Sequence, residues 1–181
     1  MNVKVDGLTL HVEPDYNPPH PRTECDHLGK MLCWHRNYTF GDQNRYDTPE
    51  EFYRSEEAKN IYVSLPVYML DHSGTFLSTR GFADVDPDRW DWGQIGIIYC
   101  TEEAAKKWFG YLPDKEMLKT QLNGEVEMLQ RLSQRRVVRI LYRRAGRRDR
   151  RFLRRVLSGR RFFRCPQRHE RIHGAELPPA F

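Results

Sequence analysis

IYVSLPVYML, residues 61–70, is the run on which the fold turns. It is dense in β-branched and aromatic side chains, which suit a pleated, half-buried surface. It is also far short of the roughly 18–20 apolar positions that a membrane-spanning helix requires. Asn60 precedes it and the turn residues Asp71-His72-Ser73-Gly74 follow, so the chain is expected to reverse and return through 75–79 as the second arm of a hairpin. Further on, 93–100 (GQIGIIYC) reads as a buried strand whose interior glycine predicts a bulge or a close backbone approach. Upstream, 30–38 (KMLCWHRNY) reads as a short strand closed by Gly41-Asp42.

Helix signals lie between and after these strands. Thr48-Pro49-Glu50-Glu51 joins an N-cap, a proline at the first helical position and acids at the positive end of the dipole, predicting a helix to Ala58. Thr101-Glu102-Glu103 caps a helix over 104–109. Pro113-Asp114 opens a longer one, with Met117, Leu118, Leu122, Val126 and Leu129 at helical spacing. At the N-terminus Val3, Val5, Leu8, Leu10 and Val12 flank Asp6-Gly7, a hairpin pattern, and 14–21 (PDYNPPHP) is too proline-rich for regular structure. The fold class is therefore α+β: a small, mostly antiparallel sheet with flanking helices, expected to be incomplete at its C-terminal end.

Charge divides the chain in two. Residues 1–128 hold seven Lys and six Arg against twenty-two Asp plus Glu, a formal −9; residues 129–181 hold seventeen Arg, no Lys and three acids, a formal +14. The expected organisation is an acidic globular domain over 1–128 and an arginine-rich tail over 129–181, partly helical or disordered. Neither part has a signal-peptide apolar core, and four cysteines are too few for a disulfide scaffold. A soluble, cytoplasmic protein with reduced thiols is expected, with no cofactor.

Two readings of the tail compete. As written, Val137, Val138, Leu141 and Tyr142, then Phe152, Leu153, Val156 and Leu157, recur as on amphipathic helices. Their arginine faces (Arg135, Arg136, Arg139, Arg143, Arg144, Arg147, Arg148, Arg150, Arg151, Arg154 and Arg155) would bind nucleic-acid phosphates, or lie on an anionic membrane. The alternative is a shifted reading frame. Arginine codons of the CGN type, read one base later, give Gly, Asp, Glu, Ala or Val. Synonymous codons exist under which 131–142 and 152–173 become amphipathic, turn-punctuated strings. The frameshift explains the missing lysines and the charge reversal together and is preferred to a selected basic tail. It would leave the domain without its last strands and a helix, with a sheet edge open.

Three stretches, Asp26 to Asp42 (DHLGKMLCWHRNYTFGD), Leu65 to Thr79 (LPVYMLDHSGTFLST) and Trp90 to Cys100 (WDWGQIGIIYC), resemble an uncharacterised protein family of bacteriophages and bacterial mobile elements. The resemblance covers much of 26–128. It implies a host or phage macromolecule as partner and a bacterial cytoplasm as setting, and it transfers no activity and no functional residue.

Constellations with possible chemistry are sparse. Cys25, His27, Cys33 and His35 form C-x-H-x5-C-x-H, which offers zinc-ligand types at poor spacing. Asp84, Asp86, Asp88 and Asp91 imitate the start of a calcium loop, but Arg89 stands where the loop needs glycine and Ile95 where it needs glutamate. Asp71-His72-Ser73 names triad types in a turn whose neighbours diverge. A site of Cys33, His35 and His72 gathered from adjacent strands is the best catalytic arrangement the sequence allows. Trp90 and Trp92, flanking Asp91, would share a face if the strand included both. The expected function is macromolecular binding without catalysis. Nucleic-acid binding through the tail is the alternative, and a thiol or metal-dependent hydrolase the weaker one.

Overall fold

The computed structural model describes residues 2–5, 8–134, 138–144, 151–153, 157–158 and 161–162, and for 2–13 and from 138 onward it describes the backbone alone. Strands β1 (Asn2–Val5) and β2 (Leu8–Pro14) form the N-terminal hairpin, with Val5 opposite Leu8. Four further strands, β3 (Lys30–Cys33), β4 (Ile61–Asp71), β5 (Thr75–Ser78) and β6 (Trp92–Thr101), make an antiparallel sheet in the order β3-β6-β4-β5. The run 61–70 is thus the first arm of the expected hairpin, with Asp71 opposite Thr75. β3 is shorter than expected because the chain turns at His35, whose Nδ1 accepts the Asn37 N–H at 3.2 Å.

β6 is buried on both faces. Ile98 joins Met31, Val67, Met69 and Leu77 on one side; Ile97 and Tyr99 join Leu32 and Phe52 on the other. The glycine signal at Gly96 reflects close approach, since a Cβ there would run into the Leu32 carbonyl oxygen on β3. A register irregularity between Val67 and Tyr68 of β4 faces the same stretch. Pro66 is tolerated because β5 pairs with β4 only from Tyr68 onward, leaving β4 with a neighbour on one side alone.

Helices cover both faces. α4 (Lys115–Ser133) packs Leu118, Leu122, Val126 and Leu129 on the first cluster, its Asp114 side chain capping the Met117 N–H at 2.8 Å. α3 (Glu102–Phe109) ends at Gly110 in the left-handed region. The single helix expected over 48–58 is two, α1 (Pro49–Tyr53) and α2 (Glu56–Lys59). Ser55 takes extended backbone and its hydroxyl accepts the Ala58 N–H at 3.2 Å, so a second N-cap interrupts the run.

A buried ion cluster joins these pieces. The Arg22 side chain, 1 % exposed, reaches Glu125 Oε2 at 3.1 Å, Asp42 Oδ1 at 2.9 Å and the Gly29 carbonyl at 2.6 Å. Glu125 also accepts the Leu28 N–H at 2.8 Å and the Gly29 N–H at 3.1 Å. Asp42 accepts the Met31 N–H at 2.8 Å and returns its own N–H to the Met31 carbonyl at 2.7 Å, which caps the outer edge of β3. On the opposite edge the Leu77 N–H donates to Gln130 of α4. The open edge expected from a truncated domain is therefore not found at these positions of this sheet.

The segment read as helical beyond 137 is extended. β7 (Val138–Arg144) pairs antiparallel with β2, and β8 (Arg151–Leu153) with β7, giving a sheet in the order β1-β2-β7-β8. Val138, Ile140 and Tyr142 recur at every second position, with Arg139 and Arg143 but also Leu141 as neighbours, and a partner strand is available in β2. β9 (Leu157–Ser158) and β10 (Arg161–Phe162) form a separate short pair. α4 runs across the charge boundary at 128, so the acidic and basic regions share a helix.

Candidate functional site

The antiparallel order sets the ends of β3 and β4 and the start of β6 at one edge of the sheet, with Cys33 opposite Gly96 and Leu70 opposite Trp92. The loops that leave this edge carry most of the residues singled out in the sequence. His72 Nδ1 lies 2.7 Å from Asp91 Oδ2, and the Asp71 N–H donates to the Asp91 carbonyl at 2.9 Å. Asp86 then fixes the acidic loop: its carboxylate accepts the Asp91 N–H at 3.0 Å and its carbonyl accepts the Trp92 indole N–H at 2.7 Å. Trp92 is the anchor. Tyr68 and Phe82 meet its ring edge-on at 5.6 and 6.1 Å, and the Arg89 guanidinium lies 5.1 Å from its centroid.

β6 begins at Trp92, so Trp90 lies in the loop and the two indoles do not share a strand face. Trp90 is 84 % exposed and Val85 71 % exposed, on a loop held from several directions. Arg89 and Gly81 both adopt positive φ, +58° and +80°, where the chain bends around the Trp92 ring. A side chain at Gly81 would meet that ring at 2.9 Å. Of the four calcium-like aspartates, Asp86 and Asp91 are engaged in these contacts.

His35 and His72 are linked through intermediate residues. The His35 ring lies 5.1 Å from Tyr38, and the Tyr38 hydroxyl donates to Asp71 at 3.0 Å. Cys33 sits at the same end of the sheet, but burial pushes its thiol up to about 12, outweighing the lowering effect of Arg22. A thiol so placed stays protonated near neutrality, the reverse of an activated nucleophile. His72 with Asp91 has the orientation of a base and its orienter, on an exposed turn with no nucleophile in its hydrogen-bond set.

The proposed metal ligands are not brought together. Cys25 is disulfide-bonded, which removes its thiolate and corrects the expectation of reduced thiols throughout. His27 Nδ1 lies 3.0 Å from the Cys25 carbonyl and its Nε2 lies 3.8 Å from Asp42. Among the described residues no group of three or more His, Cys, Asp or Glu side chains is placed to hold a metal ion, and no helix is long and apolar enough to cross a membrane. Of the tail arginines, Arg139, Arg143 and Arg144 lie in β7 and Arg151 in β8. Arg135, Arg136, Arg147, Arg148, Arg150, Arg154 and Arg155 lie outside the described residues.

Two polar centres were not anticipated. One is the Arg22 cluster, whose trace in the sequence is Glu125, three residues after Leu122 and four before Leu129 on the apolar stripe of α4. The other is Glu57, which accepts from Lys30 at 2.6 Å, Arg45 at 2.9 Å, Tyr46 at 2.7 Å and Tyr99 at 2.6 Å. Burial raises the Glu57 pKa, but the hydrogen bonds from Lys30, Tyr99 and Tyr46 prevail and hold it at about 2. Burial and the bond to Glu57 both raise the Tyr99 phenol. All of these partners are internal, so Glu57 reads as an anchor of α2 on the sheet. No family model, no curated protein and no solved structure matches the chain.

Proposed function

We propose that this chain acts by binding a macromolecule, with the loop over 80–92 as its docking edge for a protein. The observation that carries the reading is Trp90: a large indole presented to solvent on a loop whose backbone is pinned through Asp86, Asp91 and Trp92. An exposed tryptophan on a pre-organised support is the kind of group that supplies a hot spot at little ordering cost. Asp84 and Asp88, both exposed beside it, favour a partner with cationic side chains around an apolar socket. The resemblance to the phage and mobile-element family supports a partner from the host or the element.

The test places a photo-crosslinking amino acid at position 90, with position 16 as the control, because Tyr16 is equally exposed at 87 %. One discrete product at 90 that is absent at 16, and lost on Asp84→Lys with Asp88→Lys, supports the reading. Equal products at both positions count against it, as does a turnover abolished by Cys33→Ala, which would restore the hydrolase alternative. A second reading, nucleic-acid binding by the arginine-rich segment, is supported by the strand positions of Arg139, Arg143, Arg144 and Arg151.

A further inference from the structure

Among the described residues seven large apolar side chains are exposed, and three of them, Trp108, Tyr111 and Leu112, fall at the end of α3 and just beyond it. The segment that carries them is pinned. Gly110 turns the chain in the left-handed region, and Phe109 before it packs on the first core cluster. The rings of Phe109 and Tyr111 lie 6.1 Å apart, the Tyr111 hydroxyl meets the Met117 sulfur at 3.8 Å, and Pro113 is buried. The patch is therefore held in place, and a partner would meet little ordering cost. Its charges set it apart from the rest of the domain. Residues 102–119 hold four of the chain's seven lysines (Lys106, Lys107, Lys115 and Lys119) against four acids (Glu102, Glu103, Asp114 and Glu116), a formal zero within a region of −9.

Residues four apart in a helix stack on one side, so α3 arranges these groups in rows. Glu102 is paired with Lys106 within the helix at 3.3 Å. The next row has Glu103 at one end and Lys107 at the other, both exposed, and the row beside it runs from Ala104 to Trp108. We infer that a second copy of this chain covers the patch, in a two-fold dimer whose axis is perpendicular to α3. The two helices then run antiparallel. Glu103 of each copy lies against Lys107 of the other, and each Trp108 packs over the small Ala104 side chain of the opposite helix. An isologous interface must be self-complementary, and the order of signs along α3 meets that condition. The neutral stretch also lets two copies approach without the like-charge repulsion that a net −9 otherwise imposes. An anionic surface, whether lipid or nucleic acid, would gain no net attraction here.

The experiment is sedimentation velocity of the full chain across a wide range of loading concentration, where a reversible equilibrium between monomer and dimer is expected. Trp108→Ala should raise the dimer dissociation constant about ten-fold or more. Glu103→Lys and Lys107→Glu should each weaken the dimer several-fold, because each sets like charges against one another at both ends of the contact. The double exchange should restore it, which separates lost contact from lost folding. Trp90→Ala should leave the dimer unchanged, so the result stands apart from the loop over 80–92. A chain that stays monomeric at every concentration would overturn the inference. So would a dimer that Trp108→Ala and the single charge reversals leave intact. Retention of the monomer by phosphatidylcholine vesicles, abolished by Trp108→Ala, would assign the patch to a lipid surface and overturn the dimer.

Discussion

The two four-stranded sheets are held by different means. In β3-β6-β4-β5 the strands are locked by side chains from outside the sheet: Asp42 on one edge, Gln130 on the other, and Glu125 with Arg22 beneath. In β1-β2-β7-β8 the described constraint is register, which sets Glu13 opposite Arg139. The first sheet therefore adds a few buried polar groups to two apolar clusters, whereas the second is defined by its strand pairings. An acidic region with lysines accompanies the first and an all-arginine region completes the second. Lysine is absent where the shifted-frame account would remove it, and the coding sequence around codon 128 decides between that account and a selected basic strand.

The largest effect that would sharpen this contrast is expected from Glu125→Ala. Removing the carboxylate leaves the buried Leu28 and Gly29 N–H groups without their acceptor and Arg22 with Asp42 and the Gly29 carbonyl alone, a loss of about 3–5 kcal/mol by urea denaturation. A loss below 1 kcal/mol would mean that the cluster does not organise the first sheet. Gly96→Ala should follow at about 1–3 kcal/mol, because β3 must shift to admit the methyl group. The same methods separate it from the Glu125 variant, since it should also loosen the Cys33 end and speed alkylation of that thiol.

Acid should act on the first sheet through Glu57. Its folded pKa, about 2, lies below the ordinary 4.5, so its stabilisation is fully present above about 4.5 and is lost as pH falls towards 2. Glu57→Gln should flatten the pH dependence of the melting temperature across that interval. An unchanged acid limb would assign it to other carboxylates. The smallest expected effect belongs to the second sheet: Arg139→Glu puts like charges at opposed positions and should cost about 0.2–1 kcal/mol. Adding Glu13→Arg should recover it. Failure of the exchange to recover stability would break the register between β2 and β7.

Much of the first sheet was legible because its signals are local. The run 61–70, the turn after it, the Thr48, Thr101 and Asp114 caps and the helical spacing of Leu118, Leu122 and Val126 each follow from a few neighbouring residues. What escaped was long-range. Arg22 and Glu125 are separated by most of the domain, and only the misplaced acid on the α4 stripe hinted at a buried partner. Over 138–144 the helical alternative gives way to a strand because the apolar spacing fits both periods, and the choice is made by β2, far away in sequence. At the candidate site the loop residues were visible, but not the opposite fates of Trp90 and Trp92. Those depend on where β6 begins.

Asp42 does two jobs with one carboxylate: it neutralises part of Arg22 and occupies the outward N–H of Met31. Loosening the ion cluster would thus free the rim of β3 as a template to which another chain can add. Variants such as Arg22→Met are then expected to form thioflavin-positive fibrils under conditions in which variants of equal thermal stability elsewhere stay dispersed. In that sense the buried cation also guards against polymerisation.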